Sequence, residues 1–379
     1  MSFHIISLMR NILIIGSGPA GSVCAWRLAS EGHSCLLVDK SEFPRPKICG
    51  GVLSQAACSL LAGSGMVSPE ETADLGIEKH NTMTFSADFR KLRTCTDGHP
   101  AVVLVNRKSF DAFLRRRAIE SGADVLNDTF TGFSYKTASF KSGTKIKFDT
   151  IVGADGASSR VRSSLIKGYS PTLSSALSTV VPMANSAMTA LRKEGMQIFF
   201  LKGLFGYGWL FPRGDEVILG LGSFRGQNAK LGDLMKKLLL HTGLSMSNPV
   251  KSAVLPAGDQ PVTPGGGSCL LVGDAAGLCD RVSGEGISHA VESGLLAAEA
   301  ILLGRENWHR GARCVRTVNQ SKLCRHMLYT QPFRGLAMNS LGRNDRWFRK
   351  YWSITSGAAD YNALFFPRPA EAGINNCPR

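Results

Sequence analysis

Three separated glycine-rich segments constrain this chain more than any other feature: Gly16-Ser17-Gly18-Pro19-Ala20-Gly21, Gly153-Ala154-Asp155-Gly156 and Gly273-Asp274-Ala275-Ala276-Gly277. The first follows an apolar run at residues 11–15 and precedes an alanine-containing helical stretch from Pro19 to about residues 30–32, so it reads as strand, tight turn and helix. Each glycine has its own use there. Gly16 permits the turn, Gly18 lets backbone approach a pyrophosphate, and Gly21 allows helix and strand to pack closely. Pro19 and Ala20 open the helix, whose free N–H groups and positive dipole end suit phosphate. A second apolar strand, residues 34–38, ends at Asp39, about 20 residues on, where a carboxylate accepts hydrogen bonds from a ribose. Strand, helix and acidic residue together identify a dinucleotide site. The first segment alone leaves NAD open; a chain that returns to one such site three times points to FAD.

Length and composition set outer bounds. A chain of 379 residues holds one large or two ordinary domains. Although 44% of residues are hydrophobic, no run approaches the roughly 18 uninterrupted apolar residues of a spanning helix, so the expectation is a soluble or membrane-peripheral protein. Residues 1–10 carry a short apolar stretch without a charged leader or a small-residue cleavage site, and the turn at Gly16 follows too closely to spare them. Met1 and Met9 both remain open as the natural start. The ten cysteines are scattered, with no CxxC and no paired His/Cys spacing. They read as reduced thiols of a cytoplasmic protein, and no metal site is implied.

Much of the formal charge of +15 sits in the last quarter, for example at Arg305, Arg310, Arg313, Arg316, Lys322 and Arg325, then at Arg343, Arg346, Arg349 and Lys350. The second group alternates with Trp347, Phe348, Tyr351 and Trp352. Such a mixture suits contact with an anionic membrane or an acidic protein; a solvated basic helix face is the competing reading. No nucleic-acid-binding motif accompanies the charge. The oligomeric state is not legible.

Between the glycine segments the pattern alternates. Residues 40–51 form a loop with Pro44 and Pro46, and a helix is predicted over residues 54–61. Residues 82–89 and 101–105 read as strands, and residues 107–121 as a helix with Phe110, Phe113, Leu114 and Ala118 on one face. Strands at 122–125 and 148–152 deliver the second glycine segment, which predicts a parallel sheet with helices on it. From 170 to 255 the runs turn strand-like, as in an antiparallel sheet walling a substrate pocket; the chain then returns through residues 268–272 to Gly273-Asp274 and a small-residue helix over 286–303. The predicted organisation is an α/β cofactor domain in three pieces, residues 1–80, 106–169 and 256–304. A substrate domain takes residues 81–105 and 170–255, and a basic helical segment takes residues 305–379.

Taken with Pro44-Arg45-Pro46-Lys47-Ile48-Cys49-Gly50-Gly51, Asp155-Gly156-Ala157-Ser158-Ser159-Arg160-Val161-Arg162, Tyr207-Gly208-Trp209-Leu210-Phe211-Pro212 and Gly284-Glu285-Gly286, these motifs carry a resemblance over residues 11–303. The chain resembles the geranylgeranyl reductase family, within the wider group of para-hydroxybenzoate-hydroxylase-like flavoproteins. The resemblance implies a Rossmann-like FAD-binding fold and a cofactor site at Gly16, Gly18, Pro19, Ala20, Gly21, Asp39, Lys40, Arg45, Lys47, Arg107, Gly273 and Ile287. It implies that Asp274 hydrogen-bonds the ribityl chain and that Asp155-Gly156 supports the pyrophosphate region. By the same resemblance Arg107 contacts phosphate or ribityl, and Gly284, Glu285 and Gly286 pass beside the flavin pyrimidine, where N–H groups and a helix dipole stabilise negative charge.

Cys49-Gly50-Gly51 resembles the family's segment beside the isoalloxazine, with the glycines giving backbone access to the ring. Cys49 reads as a polar or proton-donating group at the flavin face, or as a small buried residue. Tyr207, Trp209 and Phe211 resemble the family's pocket-lining aromatics, with ordinary core packing as the alternative. One departure stands out: Arg281 occupies a position where related flavoproteins place proline, which would bring charge to a pocket expected to be apolar. The catalytic candidates are Cys49, Tyr207 and Trp209.

Three functional expectations follow. The first is an FAD-dependent reductase passing hydride to a C=C bond of an isoprenoid-type substrate, with NAD(P)H or a ferredoxin-like protein as electron donor. The second is an FAD-dependent monooxygenase hydroxylating an aromatic substrate, including a Trp or Tyr side chain of a partner protein. The third is a non-catalytic flavin-binding partner protein.

Overall fold

Ile12, Leu13, Ile14 and Ile15 are all buried, and a strand apolar on both faces belongs inside a parallel sheet covered on each side. In the computed structural model this strand, Leu8–Ile15, is central. The structure describes residues 8–68, 70–71, 78–96, 102–168, 173–224, 228–245, 248–257, 262–304, 308–310, 312–329, 337–338 and 343. The first sheet runs in the order Gly265–Gly266, Cys269–Leu271, Lys145–Gly153, Leu8–Ile15, Cys35–Asp39, Asp124–Asn127, with Phe130–Ser134 and Thr137–Phe140 as an antiparallel flap on Lys145–Gly153. The four pairings from Cys269–Leu271 across to Asp124–Asn127 are parallel, and Ile15 lies level with both Gly153 and Val38, while Gly153 lies level with Leu271. Gly16, Asp39, Ala154 and Val272 therefore leave the sheet along one carboxyl edge, where open α/β sheets bind ligands. Three glycine segments far apart in sequence become neighbours.

The helices Pro19–Ser30 and Ile287–Leu303 cross so closely that a Cβ at Gly294 would lie 2.4 Å from the Ala20 carbonyl oxygen. This contact joins the first and last cofactor segments. Helix Arg107–Glu120 buries Phe110, Leu114 and Ala118 as the sequence predicted, with Phe113 partly buried beside them.

A seven-stranded sheet follows the order Lys251–Leu255, Ser174–Pro182, Glu216–Ser223, Gly206–Arg213, Met196–Phe200, Met83–Ala87, Arg90–Cys95. All its pairings are antiparallel except Met196–Phe200 with Met83–Ala87, which is parallel. One face packs Trp209, Phe211, Phe85 and Phe200; the other packs Leu210, Leu219 and Leu221 against the helices Asn185–Glu194 and Asn228–Thr242. Those two helices depart from the uniform strand-like texture expected for residues 170–255. Val102–Leu104 also departs from the expected grouping, pairing with Val52–Leu53 and Glu78–His80 in a separate small sheet.

In the basic segment, helix Arg313–Tyr329 is described, and Arg310, Arg313 and Arg316 are exposed. Arg325 is buried, with its guanidinium 5.8 Å from the Phe205 ring centre, so it is not part of a surface patch. Arg305, Arg346, Arg349 and Lys350, with Trp347, Phe348, Tyr351 and Trp352, lie outside the described residues. Among the described residues, no helix is long and apolar enough to cross a membrane.

Candidate active site

A cavity of about 490 Å³ opens along the carboxyl edge of the parallel sheet. Sixteen of the residues anticipated from sequence line it: Gly16, Gly18, Pro19, Ala20, Asp39, Lys40, Arg45, Lys47, Cys49, Arg107, Asp155, Gly156, Asp274, Gly284, Gly286 and Ile287. Gly21 and Gly273 sit behind the wall. A Cβ on Gly21 would fall 1.9 Å from the Gly16 carbonyl oxygen, so its lack of a side chain lets helix meet strand. Gly273 adopts a φ of 52° and donates its N–H to Ser293 Oγ at 2.9 Å. Gly16 has a φ of 106°, and a Cβ there would strike the Ala154 carbonyl. By contrast, a Cβ on Gly18 would meet only an Arg45 Nη at 4.0 Å, leaving open the space above the helix N-terminus, which has no side-chain cap.

The acidic residues divide their work. Asp39 accepts the N–H groups of Ser17 and Ser41 at 2.8 and 2.9 Å, so it fixes the glycine turn as well as facing the cavity. Asp155 turns back on its own chain: it accepts from Ser159 Oγ and from the N–H groups of Arg160 and Val161 at 2.5, 2.7 and 3.1 Å, capping the short helix Arg160–Leu165. Burial raises its carboxyl above the ordinary value against these hydrogen bonds. Its carboxylate is thus occupied by three donors of its own chain segment. Burial likewise raises the Asp274 carboxyl, opposed by Lys47, Arg107, His289 and Arg281. Among the described residues the Asp274 side chain makes no hydrogen bond, and it faces the cavity.

Arg107 is 8% exposed and donates through Nε and Nη2 to Asp111 at 2.7 and 2.9 Å. Burial pulls its guanidinium down, but Asp111 and Cys49 overcome that and hold it charged. Arg45 reaches the same carboxylate at 3.5 Å and stacks 4.7 Å over Phe43.

A second cavity, about 180 Å³, adjoins the first and shares Ile48, Cys49, Leu255, Gly284, Gly286 and Ile287 with it. Its wall is the aromatic face of the seven-stranded sheet, including Tyr207, Trp209, Phe211 and Phe224. Tyr207 donates its hydroxyl to the Ser283 carbonyl, tying the wall to the Gly284 loop. The Trp209 ring stacks 6.4 Å from Phe211, and its buried indole N–H has no acceptor among the described residues. Gly50 and Gly51 line this cavity, and packing alone constrains both: a Cβ at Gly50 would lie 2.8 Å from Phe211, and one at Gly51 2.4 Å from the Val105 carbonyl. Close packing of the loop against both sheets demands them. Glu285 also lines it, its carboxylate accepting from Ser288 N–H and Oγ at 2.8 and 2.6 Å, with His289 Nε2 at 3.7 Å.

Arg281 corrects an expectation. It is fully buried, lines neither cavity, and donates to the Gly277 carbonyl at 3.2 Å while its backbone N–H bonds Ser321 Oγ at 2.9 Å. No charge enters the apolar cavity from this position. Sequence reasoning missed Asp128, Thr129 and Arg160 in the larger cavity and Ala176, Gly222 and Ala253 in the smaller. Asp128 was findable, since it follows a parallel strand and donates its N–H to the Asp39 carbonyl at 3.0 Å. The small residues carried no motif.

A cavity of about 490 Å³ with an uncapped helix N-terminus, the cations Lys40, Arg45, Lys47, Arg107 and Arg160, and an unengaged carboxylate at Asp274 fits a dinucleotide diphosphate with a polyol arm. The fold and this site define an FAD-binding flavoprotein, and the FAD binding domain family model matches residues 9–203. The chain belongs to the FAD binding domain family of flavin-dependent enzymes, and its relatives include geranylgeranyl reductases. It is 28% identical over 324 residues to the chloroplastic geranylgeranyl diphosphate reductase of Arabidopsis thaliana, covering 78% of this chain but 66% of that protein, just under two thirds of its length. It is 30% identical over 331 residues to the menaquinone reductase of Mycolicibacterium smegmatis, covering 78% and 76%. A solved geranylgeranyl bacteriochlorophyll reductase-like protein of Thermoplasma acidophilum shares the fold with a TM-score of 0.72 at 19% identity, covering 94% and 98%.

Proposed function

We propose that this oxidoreductase reduces a C=C bond of an isoprenoid-type substrate held in the apolar cavity. The observation that carries the reading is the junction: an apolar, aromatic-walled space meets the cofactor cavity at Cys49 and the Gly284–Gly286 loop. FAD bound in the larger cavity would supply the hydride.

The chain's own residues do the rest. The turn at Gly16–Gly21 and the helix behind it bind the diphosphate, Asp39 orients a ribose, and Asp274 accepts from the ribityl arm. The N-terminus of helix Ile287–Leu303, at Gly286, stabilises negative charge beside the junction. Tyr207, Trp209 and Phe211 exclude water and hold the apolar chain. The Cys49 thiol gives its proton to the substrate carbon that does not receive hydride, leaving a thiolate beside the Arg107 guanidinium that retakes a proton from water. Names of relatives support the substrate class: the Arabidopsis protein is a geranylgeranyl diphosphate reductase, and the mycobacterial protein is a menaquinone reductase. The reductant is NAD(P)H or a ferredoxin-like protein acting from solution.

Mixing chemically reduced enzyme anaerobically with prenyl substrates tests the reading. Product heavier by two hydrogens, formed without oxygen, is expected. Turnover only in oxygen, with an oxygen atom in the product, would replace this reading with the monooxygenase. Stopped-flow reduction by NADH, NADPH and reduced ferredoxin identifies the donor.

A further inference from the structure

We infer that the apolar cavity accepts only an uncharged, flat or slender group, and that Gly222 sets its width; the inference rests on the reductase reading only in treating this cavity as the substrate's. Register explains the shape. Along one row of the sheet Tyr207 lies opposite Gly222, Gly222 opposite Ala176, and Ala176 opposite Ala253. The wall thus falls from an aromatic ring to three small residues within four strands. In the next row Trp209 lies opposite Gly220.

The two glycines of that strand are there for different reasons. A Cβ at Gly220 would lie 2.4 Å from the Trp209 ring, so the indole itself occupies the space and demands glycine. At Gly222 a Cβ would meet only ordinary contacts, Trp209 Cζ3 at 3.7 Å and Ala176 Cβ at 3.9 Å. Protein packing does not require glycine there. The room above Gly222 is room left for something else.

Charge narrows what that is. Glu285 brings a carboxylate to this cavity, held by hydrogen bonds from Ser288 N–H and Oγ at 2.8 and 2.6 Å. Among the described lining residues there is no Lys, Arg or His. An anion entering here would lose its water and face a like charge, with no cation to compensate. Anionic groups are served next door, where Lys40, Arg45, Lys47, Arg107 and Arg160 line the cofactor cavity. The two cavities divide phosphate from uncharged carbon.

The experiment titrates FAD-loaded protein with two matched pairs small enough to enter whole: a ten-carbon prenyl alcohol against its monophosphate, and naphthol against naphthoate. Binding is read from perturbation of the flavin absorption bands. In whichever pair binds, the neutral member should bind about ten-fold tighter or better. Gly222→Leu should weaken that neutral ligand by about ten-fold and Gly222→Ala by less, with FAD content and melting temperature kept. If Gly222→Leu does not fold, Gly222→Ala carries the comparison. Equal or tighter binding of the anion, no loss in the Gly222 variants, or no binding by either pair overturns the inference. Binding of naphthol without the prenyl alcohol leaves the inference standing and ends the isoprenoid reading.

Discussion

A Cβ placed on Gly21 would stand 1.9 Å from the carbonyl oxygen of Gly16, whereas one on Gly18 would find nothing nearer than an Arg45 Nη at 4.0 Å. Two glycines of one motif therefore answer to different demands, the fold's and the ligand's. Gly21→Ala should lower the melting temperature of the apoprotein, because backbone cannot yield. Gly18→Ala should leave the apoprotein melt unchanged and weaken FAD binding. Equilibrium dialysis with FAD and thermal melts of apoprotein separate the two; an apoprotein destabilised by Gly18→Ala would contradict this assignment.

Asp274 is a half-buried carboxyl raised above its ordinary value of 3.8 chiefly by desolvation. A group raised in this way contributes stability below its unfolded value that is lost as pH rises through the folded value, so at neutral pH its ionised form burdens the empty protein. Asp274→Asn should therefore melt no lower than the parent as apoprotein at pH 7. It should lose FAD affinity by about ten- to a hundred-fold, since a hydrogen bond to a charged group contributes roughly 1.5–3 kcal/mol. Retention of FAD equal to the parent would mean the Gly-Asp segment does not hold the ribityl arm.

His80 gives a pH dependence distant from the cofactor. Its side chain is 5% exposed, with Nε2 2.9 Å from the Pro212 carbonyl and 3.5 Å from Glu78, which also grips Arg192. Burial lowers the imidazole below its usual 6.5, overriding the opposing pull of Glu78 and Pro212, and Arg192 adds to the lowering. The unfolded chain then takes up the proton first, and stability is lost as pH falls from about 6.5 towards the folded value. Glu78 is lowered from 4.5, so its own loss comes at more acid pH. Melting temperatures between pH 7.5 and 5.5 should fall less in His80→Gln than in the parent; parallel curves would refute this.

Trp209 both lines the apolar cavity and packs at 9% exposure against Phe211. Trp209→Ala should cost about 3–5 kcal/mol of stability in urea unfolding and abolish turnover. Trp209→Phe should recover most of that stability, because the indole N–H has no acceptor among the described residues to lose. FAD content should be unchanged in the phenylalanine variant, since Trp209 does not line the cofactor cavity.

The cofactor half was readable because its chemistry needs particular residues at particular turns. Gly16, Asp39, Asp155 and Asp274 each stand at the end of a short apolar run on a strand, so the turns at the sheet's carboxyl edge are marked in the sequence itself. The apolar half gave less away. Tyr207, Trp209 and Phe211 stood out as rings, but Ala176, Gly222 and Ala253 matter by being small, and smallness has no signature until register sets them side by side. Gly50 and Gly51 stood out by motif, but their packing against Phe211 and Val105 comes from sequence distances no local pattern reports. Arg281 looked like a charge brought to the pocket and is a buried side chain on a carbonyl, a matter of where the loop turns rather than which residue it holds.

The parallel pairing of Met196–Phe200 with Met83–Ala87, and that of Cys269–Leu271 with Lys145–Gly153, have a consequence for synthesis. A ribosome releasing this chain from its N-terminus has delivered the glycine turn long before either sheet is complete. The seven-stranded sheet waits for Lys251–Leu255, and the other sheet waits for Cys269–Leu271. Until then unpaired strand edges stand open, the condition in which nascent chains aggregate or need a chaperone. Flavin capture is thus a late event in the life of the polypeptide, and the yellow colour of a preparation reports that the last strand has found its place.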